Sequence, residues 1–305
     1  MKASSAVVTA FGPGKVILLG EHGAVYGQPA LAAPISRGVR ATAVASDALE
    51  LELPDGLTEA QLEALERAFA RAAKLTGHPK VSVSVESDLP LSMGLGSSGA
   101  LSVAVTRVML QAKTGKPPDA KTLERIAFAL EKEFHGTASG VDHTTSARGT
   151  MVLYTKGRVR EVIARKPVKV LIAMVGMRAA TRVTVGALRE RQAKWGSRYR
   201  RVFAEIGELA REGAAAAKKG DLELLGDLMN MNQGFLAGLG LSSERLESMV
   251  YRLRSAGALG AKLTGAGGDG GAVIALFKEP EPIVKRLREE GIDCFASQLA
   301  GPAAL

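Results

Sequence analysis

Residues 13–27 read PGKVILLGEHGAVYG. The apolar run Lys15–Leu19 follows a second short run, Val7–Phe11, and residues 12–14, Gly-Pro-Gly, separate the two. Glycine and proline between two short apolar runs predict a strand, a turn and a second strand. The segment therefore predicts a β-rich start to the fold.

The whole chain has 305 residues, with 40 Lys and Arg against 31 Asp and Glu, a net charge of +9. This length predicts two domains, and the positive charge favours an anionic partner such as a nucleotide, a phosphorylated metabolite or a nucleic acid. Aromatic residues make up only 4% of the chain, which is few for a protein that stacks bases. One cysteine, no apolar run of membrane-spanning length and no secretory signal predict a cytoplasmic protein without a membrane partner.

Strand and helix patterns alternate irregularly along the chain, without the strict repeat of a parallel doubly wound sheet. Thr58 and Gln61 form a capping-box pattern before a helix that Gly77 would end. The pattern resets near residue 166, which predicts domains at 1–166 and 167–305. The fold class predicted from these patterns is α+β in both domains. Further elements are predicted at Val39–Ala45, Val81–Val85, Ser98–Lys113, Thr122–Phe134, Met151–Tyr154, Val159–Ile163, Val168–Val175, Val183–Ala256, Ala261–Thr264, Val273–Phe277, Pro282–Glu290 and Asp293–Ser297.

Glycine is concentrated in three segments, at residues 12–15, 94–99 and 265–271. The middle one, GLGSSG, matches the dinucleotide-binding pattern, but the stretch DLPLS at 88–92 lies between it and the preceding strand, and that context excludes the dinucleotide site. Glycines before a helix N-terminus instead predict a phosphate cradle, with Ser97 or Ser98 capping the helix and offering a hydroxyl beside Mg²⁺. A simple capping turn is the alternative for any one such loop.

These segments carry a resemblance to the GHMP kinases, in the branch that phosphorylates mevalonate. Residues 13–27 resemble the first motif of that family, PLSMGLGSSG at 90–99 resembles the second, and KLTGAGG at 262–268 resembles the third. Between them, EKEFHG at 131–136 and SGVD at 139–142 resemble the region with an acidic metal ligand and a catalytic aspartate. The resemblance implies a two-domain fold, with an N-terminal ribosomal-S5-domain-2-like lobe and a C-terminal ferredoxin-like lobe.

Sister families differ from this chain at a few positions. Galactokinases would show Arg where Lys15 stands, and phosphomevalonate kinases usually carry an aromatic residue in place of His22. Homoserine kinases generally lack the pair that Lys15 and Asp142 would form. The resemblance therefore implies ATP-dependent phosphorylation of the primary hydroxyl of mevalonate, and another small-molecule kinase of the phosphomevalonate, galactose or homoserine type is the alternative.

The resemblance also implies roles for individual residues. Asp142 would accept the hydroxyl proton, and Lys15 would keep Asp142 ionised and stabilise the developing negative charge. Glu131 would hold Mg²⁺ together with the Ser98 hydroxyl, whereas Glu133 would lie on another helix face. The ATP phosphates would contact the two later glycine loops, at Gly94, Leu95, Gly96, Ser97, Ser98, Gly99, Gly265 and Gly267.

Mevalonate itself would meet residues of the first motif and of the second half of the chain, namely Glu21, His22 and Thr181. Asp269 departs from the family pattern, which usually continues with glycine. Its carboxylate would either repel the phosphates or cap the loop from outside. The resemblance is consistent with a homodimer, and no structural metal is predicted because His135, His143 and Cys294 do not form a zinc pattern.

A function of another class, nucleic-acid binding, is suggested by a basic cluster with one acidic residue, Glu190. However, Trp195, Tyr199 and Phe203 recur at helical spacing in the same segment, which predicts a buried face and leaves the basic residues as a solvated surface. The sequence therefore predicts no nucleic-acid partner. The cluster consists of Arg189, Arg191, Lys194, Arg198, Arg200 and Arg201.

Overall fold

The computed structural model describes residues 7–52, 58–90, 93–135, 139–176 and 181–299. The chain divides into two compact units. The first comprises Met1–Gly14, Arg37–Pro90 and Gly96–Arg148, and the second comprises Lys15–Ser36, Leu91–Leu95 and Gly149–Leu305. Each unit combines helices with a sheet, as the predicted α+β class requires. The predicted division at residue 166 stays a prediction.

The first strand, β1 (Val8–Leu19), continues without interruption through residues 12–14, so the predicted turn is wrong. A Cβ atom on Gly12 would lie 2.0 Å from the carbonyl oxygen of Ala100 in helix α2 (Ser97–Thr114). Glycine is therefore required at position 12 because the helix backbone packs directly against the strand, and not because the chain reverses there.

The sheet of the first unit contains the second half of β2 (Ala30–Ala45), β3 (Glu50–Glu52) and β4 (Val81–Ser87). Strand β4 is central, antiparallel to β2 with Val39 opposite Ser87, and parallel to β3. The strands predicted in this region are confirmed.

Four helices complete the first unit. Helix α1 (Glu59–Thr76) begins with the predicted capping box, in which the side chains and backbone N–H groups of Thr58 and Gln61 bond reciprocally. Helices α2 and α3 (Ala120–His135) confirm the predicted ones and pack on each other. A short fourth helix, α4 (Val141–Arg148), was not predicted, and it packs against both α2 and α3.

The second unit is built on a four-stranded antiparallel sheet with the order β10-β7-β9-β8. Two further strands form the predicted hairpin, and the first of them pairs with Ala30–Ala32 of β2. The strands are β5 (Val152–Thr155), β6 (Arg158–Glu161), β7 (Val168–Val175), β8 (Gly260–Thr264), β9 (Gly271–Phe277) and β10 (Cys294–Leu299). The helices are α5 (Thr181–Lys194), α6 (Gly196–Lys219), α7 (Leu222–Gly238), α8 (Glu244–Ser255) and α9 (Glu281–Glu289).

Helices α7, α8 and α9 contact this sheet, and the buried core is mainly aliphatic, with two phenylalanines, Phe203 of α6 and Phe277 of the sheet. Phe203 also stacks on Tyr26, with ring centroids 4.1 Å apart. This stacking joins α6 to the short 3₁₀ turn Gly23–Tyr26 that follows β1. Among the helices in the described ranges, none is both long enough and apolar enough to span a bilayer.

The helix predicted through the basic cluster is broken at Trp195. Helix α5 ends at Lys194, and Trp195 is the N-cap of α6. Because the helical repeat does not continue through this break, Trp195 does not share the face of Phe203. Trp195 is 51% exposed, whereas Phe203 is 1% exposed. The prediction that Trp195 belongs to a buried face is therefore wrong.

Candidate active site

In the second unit, Lys15 joins the first motif to the second. Its ammonium donates a hydrogen bond to the carbonyl oxygen of Gly94 at 3.1 Å, and its backbone N–H donates to the carbonyl oxygen of Leu95 at 2.8 Å. Lys15 is only 3% exposed, because it lies within β1. The strand thus fixes a buried cation beside the start of the glycine loop.

The third motif packs against the same two motifs. The hydroxyl of Thr264 donates to the carbonyl oxygen of Ile17 at 3.2 Å and accepts from the Ile17 N–H at 2.9 Å. Gly265 has φ of +84°, and a Cβ there would lie 3.2 Å from the Cα of Gly94. Gly267 has φ of +66°, and a Cβ there would lie 2.1 Å from the carbonyl oxygen of Leu241. Glycine at these positions allows the loop to turn and the backbones to meet.

Glu21 is held in a fully buried polar network. One carboxylate oxygen contacts the Lys262 ammonium, and the other accepts a hydrogen bond from the Asn232 side-chain amide at 3.2 Å. Neither charged side chain is exposed. Lys262 also donates to the carbonyl oxygen of Leu263 at 2.6 Å. The predicted contact of Glu21 with substrate stays a prediction, and the structure adds that both of its oxygens have protein partners.

Burial dominates the electrostatics of this pair. Burial raises the pKa of the Glu21 carboxyl, while the Lys262 ammonium and, to a smaller extent, the Lys15 ammonium oppose that rise. Burial lowers the pKa of Lys262, and Glu21 opposes that decrease. Each partner therefore favours the charged form of the other, against the effect of burial.

His22 follows Glu21 in a left-handed backbone conformation, with φ of +60°. Its Nε2 lies 3.0 Å from the carbonyl oxygen of Ala266. Because a carbonyl oxygen can only accept, this contact places a proton on Nε2. His22 is half-buried and is fixed between the first and third motifs.

Asp269 lies at the end of the third glycine loop. Its side chain is exposed, and its carbonyl oxygen accepts a hydrogen bond from the Ser243 hydroxyl at 3.2 Å. Of the two alternatives left open by the sequence, this exposure favours a carboxylate that caps the loop from outside.

In the first unit, the second motif forms the start of α2. The N-cap is Gly96, with φ of +74° and no side-chain cap, so the predicted capping by Ser97 or Ser98 is wrong. The two serines instead occupy the first helical positions. Backbone N–H groups at a helix N-terminus remain available to bind an anion.

Asp142 lies close to this helix start. A Cβ on Gly99 would lie 2.9 Å from both the Asp142 carbonyl carbon and the His143 nitrogen. Only glycine therefore allows the first turn of α4, which carries Asp142, to reach the first turn of α2. Asp142 is half-buried, so the base predicted from the sequence lies beside the predicted phosphate cradle.

Glu131 projects from α3 into the same unit and is 3% exposed. Its Oε2 lies 2.5 Å from Nδ1 of His143, the residue that follows Asp142. Glu133 is half-buried, and its predicted place on another helix face stays a prediction. The side chains of Thr181 and His135 lie outside the described residues, so the substrate contact proposed for Thr181 stays a prediction.

The donor set around Glu131 suits Mg²⁺ rather than a metal held by protein alone. Within the described ranges, no three His, Cys, Asp or Glu side chains form a group that could hold a metal ion. Magnesium is usually bound by one or two carboxylates with substrate phosphates and several waters. A single buried carboxylate in the unit that also carries the Ser98 hydroxyl fits that description.

Sequence reasoning missed three residues of these networks: Lys262, Asn232 and His143. Lys262 stands in the third motif, but its partner Glu21 is 241 residues away, and no local pattern relates them. His143 directly follows Asp142, and that adjacency was the only available signal.

Two family descriptions match the chain: "GHMP kinases N terminal domain" at residues 61–150 and "GHMP kinases C terminal" at residues 214–293. The mevalonate kinase of Aeropyrum pernix is 38% identical over 293 residues, covering 88% of this chain and 88% of that protein. The crystal structure of L. major mevalonate kinase in complex with R-mevalonate has a TM-score of 0.85 at 26% identity and covers 98% of each chain. The Methanococcus jannaschii mevalonate kinase structure has a TM-score of 0.80 at 25% identity and covers 99% of this chain and all of that one. These matches confirm the predicted two-domain α+β fold, and the chain belongs to the mevalonate kinase family of the GHMP kinases.

Proposed function

We propose that this protein transfers the γ-phosphoryl group of ATP to the primary hydroxyl of mevalonate, giving 5-phosphomevalonate and ADP. The observation that carries the proposal is the approach of Asp142 to the first turn of α2 at Gly99, in a chain with the family's three glycine loops. A proton acceptor beside an anion-binding helix start is the pairing that transfer of phosphate to an alcohol needs.

In the proposed reaction, Asp142 accepts the proton of the mevalonate hydroxyl as that oxygen attacks the γ-phosphorus. The bond between the γ-phosphorus and the bridging oxygen breaks, and ADP leaves. Backbone N–H groups at the start of α2 bind phosphate oxygens, and the ammonium of Lys15 stabilises developing negative charge. The hydrogen bond of Lys15 to Gly94 supports this role, because it holds the ammonium beside the glycine loop.

The Ser98 hydroxyl and the Glu131 carboxylate would hold Mg²⁺. Neutralisation of charge on the triphosphate is the chemistry that the ion supplies when it is bound there. Glu21, His22 and Thr181 are proposed to recognise mevalonate. The buried partners of Glu21 suggest that it acts mainly by fixing the turn that presents His22.

The location of the protein in the cell and its partners are also proposed. We place the protein in the cytoplasm, a location supported by its single cysteine, Cys294, which is buried. The kinase reaction needs no nucleic acid and no membrane, and a homodimer is consistent with the family.

Release of ADP, measured by a coupled assay, tests the substrate. Mevalonate, phosphomevalonate, galactose and homoserine should be compared at equal ATP and Mg²⁺. We expect turnover with mevalonate alone. Turnover with one of the other three and none with mevalonate would assign the chain to another small-molecule kinase activity of the superfamily.

A second candidate function, nucleic-acid binding, is favoured by the exposure of Trp195 among basic residues. Within the described ranges, none of the five exposed cations of the cluster lies within ion-pair distance of a carboxylate. These cations are Arg189, Lys194, Arg198, Arg200 and Arg201. Retention of single-stranded DNA that falls steeply with salt would support this function, and its absence at low salt would exclude it.

A further inference from the structure

His143 is fixed on three sides within the first unit. Its Nδ1 lies 2.5 Å from Oε2 of Glu131, and its Nε2 lies 3.4 Å from the hydroxyl of Thr144. The ring stacks on Phe128, with centroids 4.8 Å apart and an interplanar angle of 28°. The His143 side chain is only 7% exposed. The ring therefore has a defined position and orientation beside the Glu131 carboxylate.

The chemistry of the two groups also decides which one donates the hydrogen bond between His143 and Glu131. The Glu131 carboxylate is ionised when it binds a metal, and it can then only accept, so Nδ1 of His143 carries the proton that is donated to Oε2. The described residues give the other oxygen, Oε1, no partner. One oxygen of the carboxylate is thus held by the protein, while the other is left for a ligand.

We propose that His143 is a positioning residue that orients Glu131 for Mg²⁺. This inference rests on the proposed function of Glu131 as the metal ligand. Groups that hydrogen-bond to metal-ligating side chains fix their orientation, and their loss typically weakens metal binding by about 10- to 100-fold. Because His143 follows Asp142 on α4, it also links the position of the metal ligand on α3 to that of the base.

Metal binding by the full chain tests the inference without relying on turnover. Free Mn²⁺ is counted by its electron paramagnetic resonance signal while Mn²⁺ is titrated into the protein with a non-hydrolysable ATP analogue. Four variants are compared with the wild type: Glu131→Gln, His143→Ala, His143→Asn and His143→Gln. Circular dichroism melting of each variant identifies any that does not fold.

The Asn and Gln variants form a matched pair. The amide nitrogen of Asn can stand where Nδ1 stands and keep the hydrogen bond to Glu131, whereas the amide of Gln extends towards the Nε2 position. We expect His143→Ala and His143→Gln to weaken Mn²⁺ binding by about 10- to 100-fold. His143→Asn should stay within about threefold of the wild type, because it retains the donor. The same order should hold for the free Mg²⁺ needed for activity, while the KM for mevalonate changes little.

The possible results distinguish a failure of the metal role of Glu131 from a failure of the positioning role of His143. If Glu131→Gln binds Mn²⁺ as tightly as the wild type, the proposed metal role of Glu131 fails and the inference fails with it. If Glu131→Gln binds weakly but both His143→Ala and His143→Gln bind normally, Glu131 remains the ligand and the role of His143 is overturned. If His143→Ala does not fold, the difference between the Asn and Gln variants decides, and equal affinity for these two overturns the inference.

Discussion

Glu21 in the second unit and Glu131 in the first are both buried carboxylates, yet their surroundings differ. Both oxygens of Glu21 have protein partners, the Lys262 ammonium and the Asn232 amide. Glu131 has one partner among the described residues, His143, at one oxygen. A carboxylate can accept about four hydrogen bonds, so contacts on both oxygens restrain Glu21 more firmly than one contact restrains Glu131. Burial alone therefore does not distinguish the two carboxylates: Glu21 has protein contacts on both oxygens, whereas Oε1 of Glu131 has none among the described residues.

The largest expected effect is the loss of turnover on substitution of Asp142, the residue that precedes His143. Asp142→Asn keeps the side-chain shape but removes the proton acceptor, so kcat should fall about 100- to 10,000-fold. ATP binding, measured by calorimetry, should remain, and so should the melting temperature. Near-normal kcat would remove Asp142 as the base and leave Lys15 as an electrostatic catalyst only.

The next effect tests whether the Glu21 network supports the fold. Lys262→Met leaves the Glu21 carboxylate buried without its cation, and breaking a buried ion pair from one side typically costs about 3–5 kcal/mol. Urea unfolding followed by circular dichroism measures the change in unfolding free energy.

The double variant Glu21→Gln with Lys262→Met is the matched control, because it removes both charges together. It should recover most of the lost stability. A double variant as unstable as Lys262→Met alone would show that packing around Lys262, and not charge, stabilises this region.

A smaller effect distinguishes Glu131 from Glu133 on the same helix. Glu131→Gln should raise the free Mg²⁺ needed for half-maximal activity by at least the factor of about 10 to 100 that loss of a ligand's hydrogen-bond partner typically costs, while Glu133→Gln should leave it unchanged. Activity measured against free Mg²⁺ for both variants checks the expectation. Equal sensitivity would mean that burial of Glu131 beside His143 has no bearing on the metal.

The smallest effect concerns the backbone contact that places Asp142. Gly99→Ala puts a methyl group 2.9 Å from the backbone of α4, and overpacking of this kind typically costs about 1–3 kcal/mol. Turnover should fall as well, because α4 must move away from α2.

Gly234→Ala in α7 is the control for the glycine substitution itself. A Cβ at Gly234 meets nothing within 4 Å, so helix propensity should stabilise this variant by about 0.5–1 kcal/mol. Thermal unfolding of the two variants should therefore shift in opposite directions, and a shift in the same direction would contradict the close contact at Gly99.

Local chemistry made part of the fold predictable from sequence. The capping box of Thr58 and Gln61 and the nearly continuous apolar run of β7 act through neighbouring residues, and both were located correctly. The turn at residues 12–14 was mispredicted because Gly12 serves a close contact with Ala100, which is far along the chain. Helix α4 was not predicted because its eight residues include Thr and Ser and do not form an apolar stripe.

The residues of the candidate site also fall into two groups, those with a local sequence pattern and those without one. The proposed site residues were chosen through ordered motifs, since glycine loops have a recognisable local pattern, and their roles stay predictions. The partners of Glu21 and Glu131 were not predicted, because hydrogen bonds between residues far apart in the chain produce no periodic pattern in the sequence. The break at Trp195 was missed for a related reason: a helix end is decided by the packing of both flanking helices.

Trp195 is the chain's single tryptophan and therefore its dominant intrinsic fluorophore. Its indole is already half in water, and the Lys194 ammonium lies 5.3 Å from the ring centroid. Emission from a solvated indole changes little when a protein unfolds. The tryptophan fluorescence of this protein should therefore change when a ligand such as a polyanion binds at the α5–α6 junction. It should change little on global unfolding.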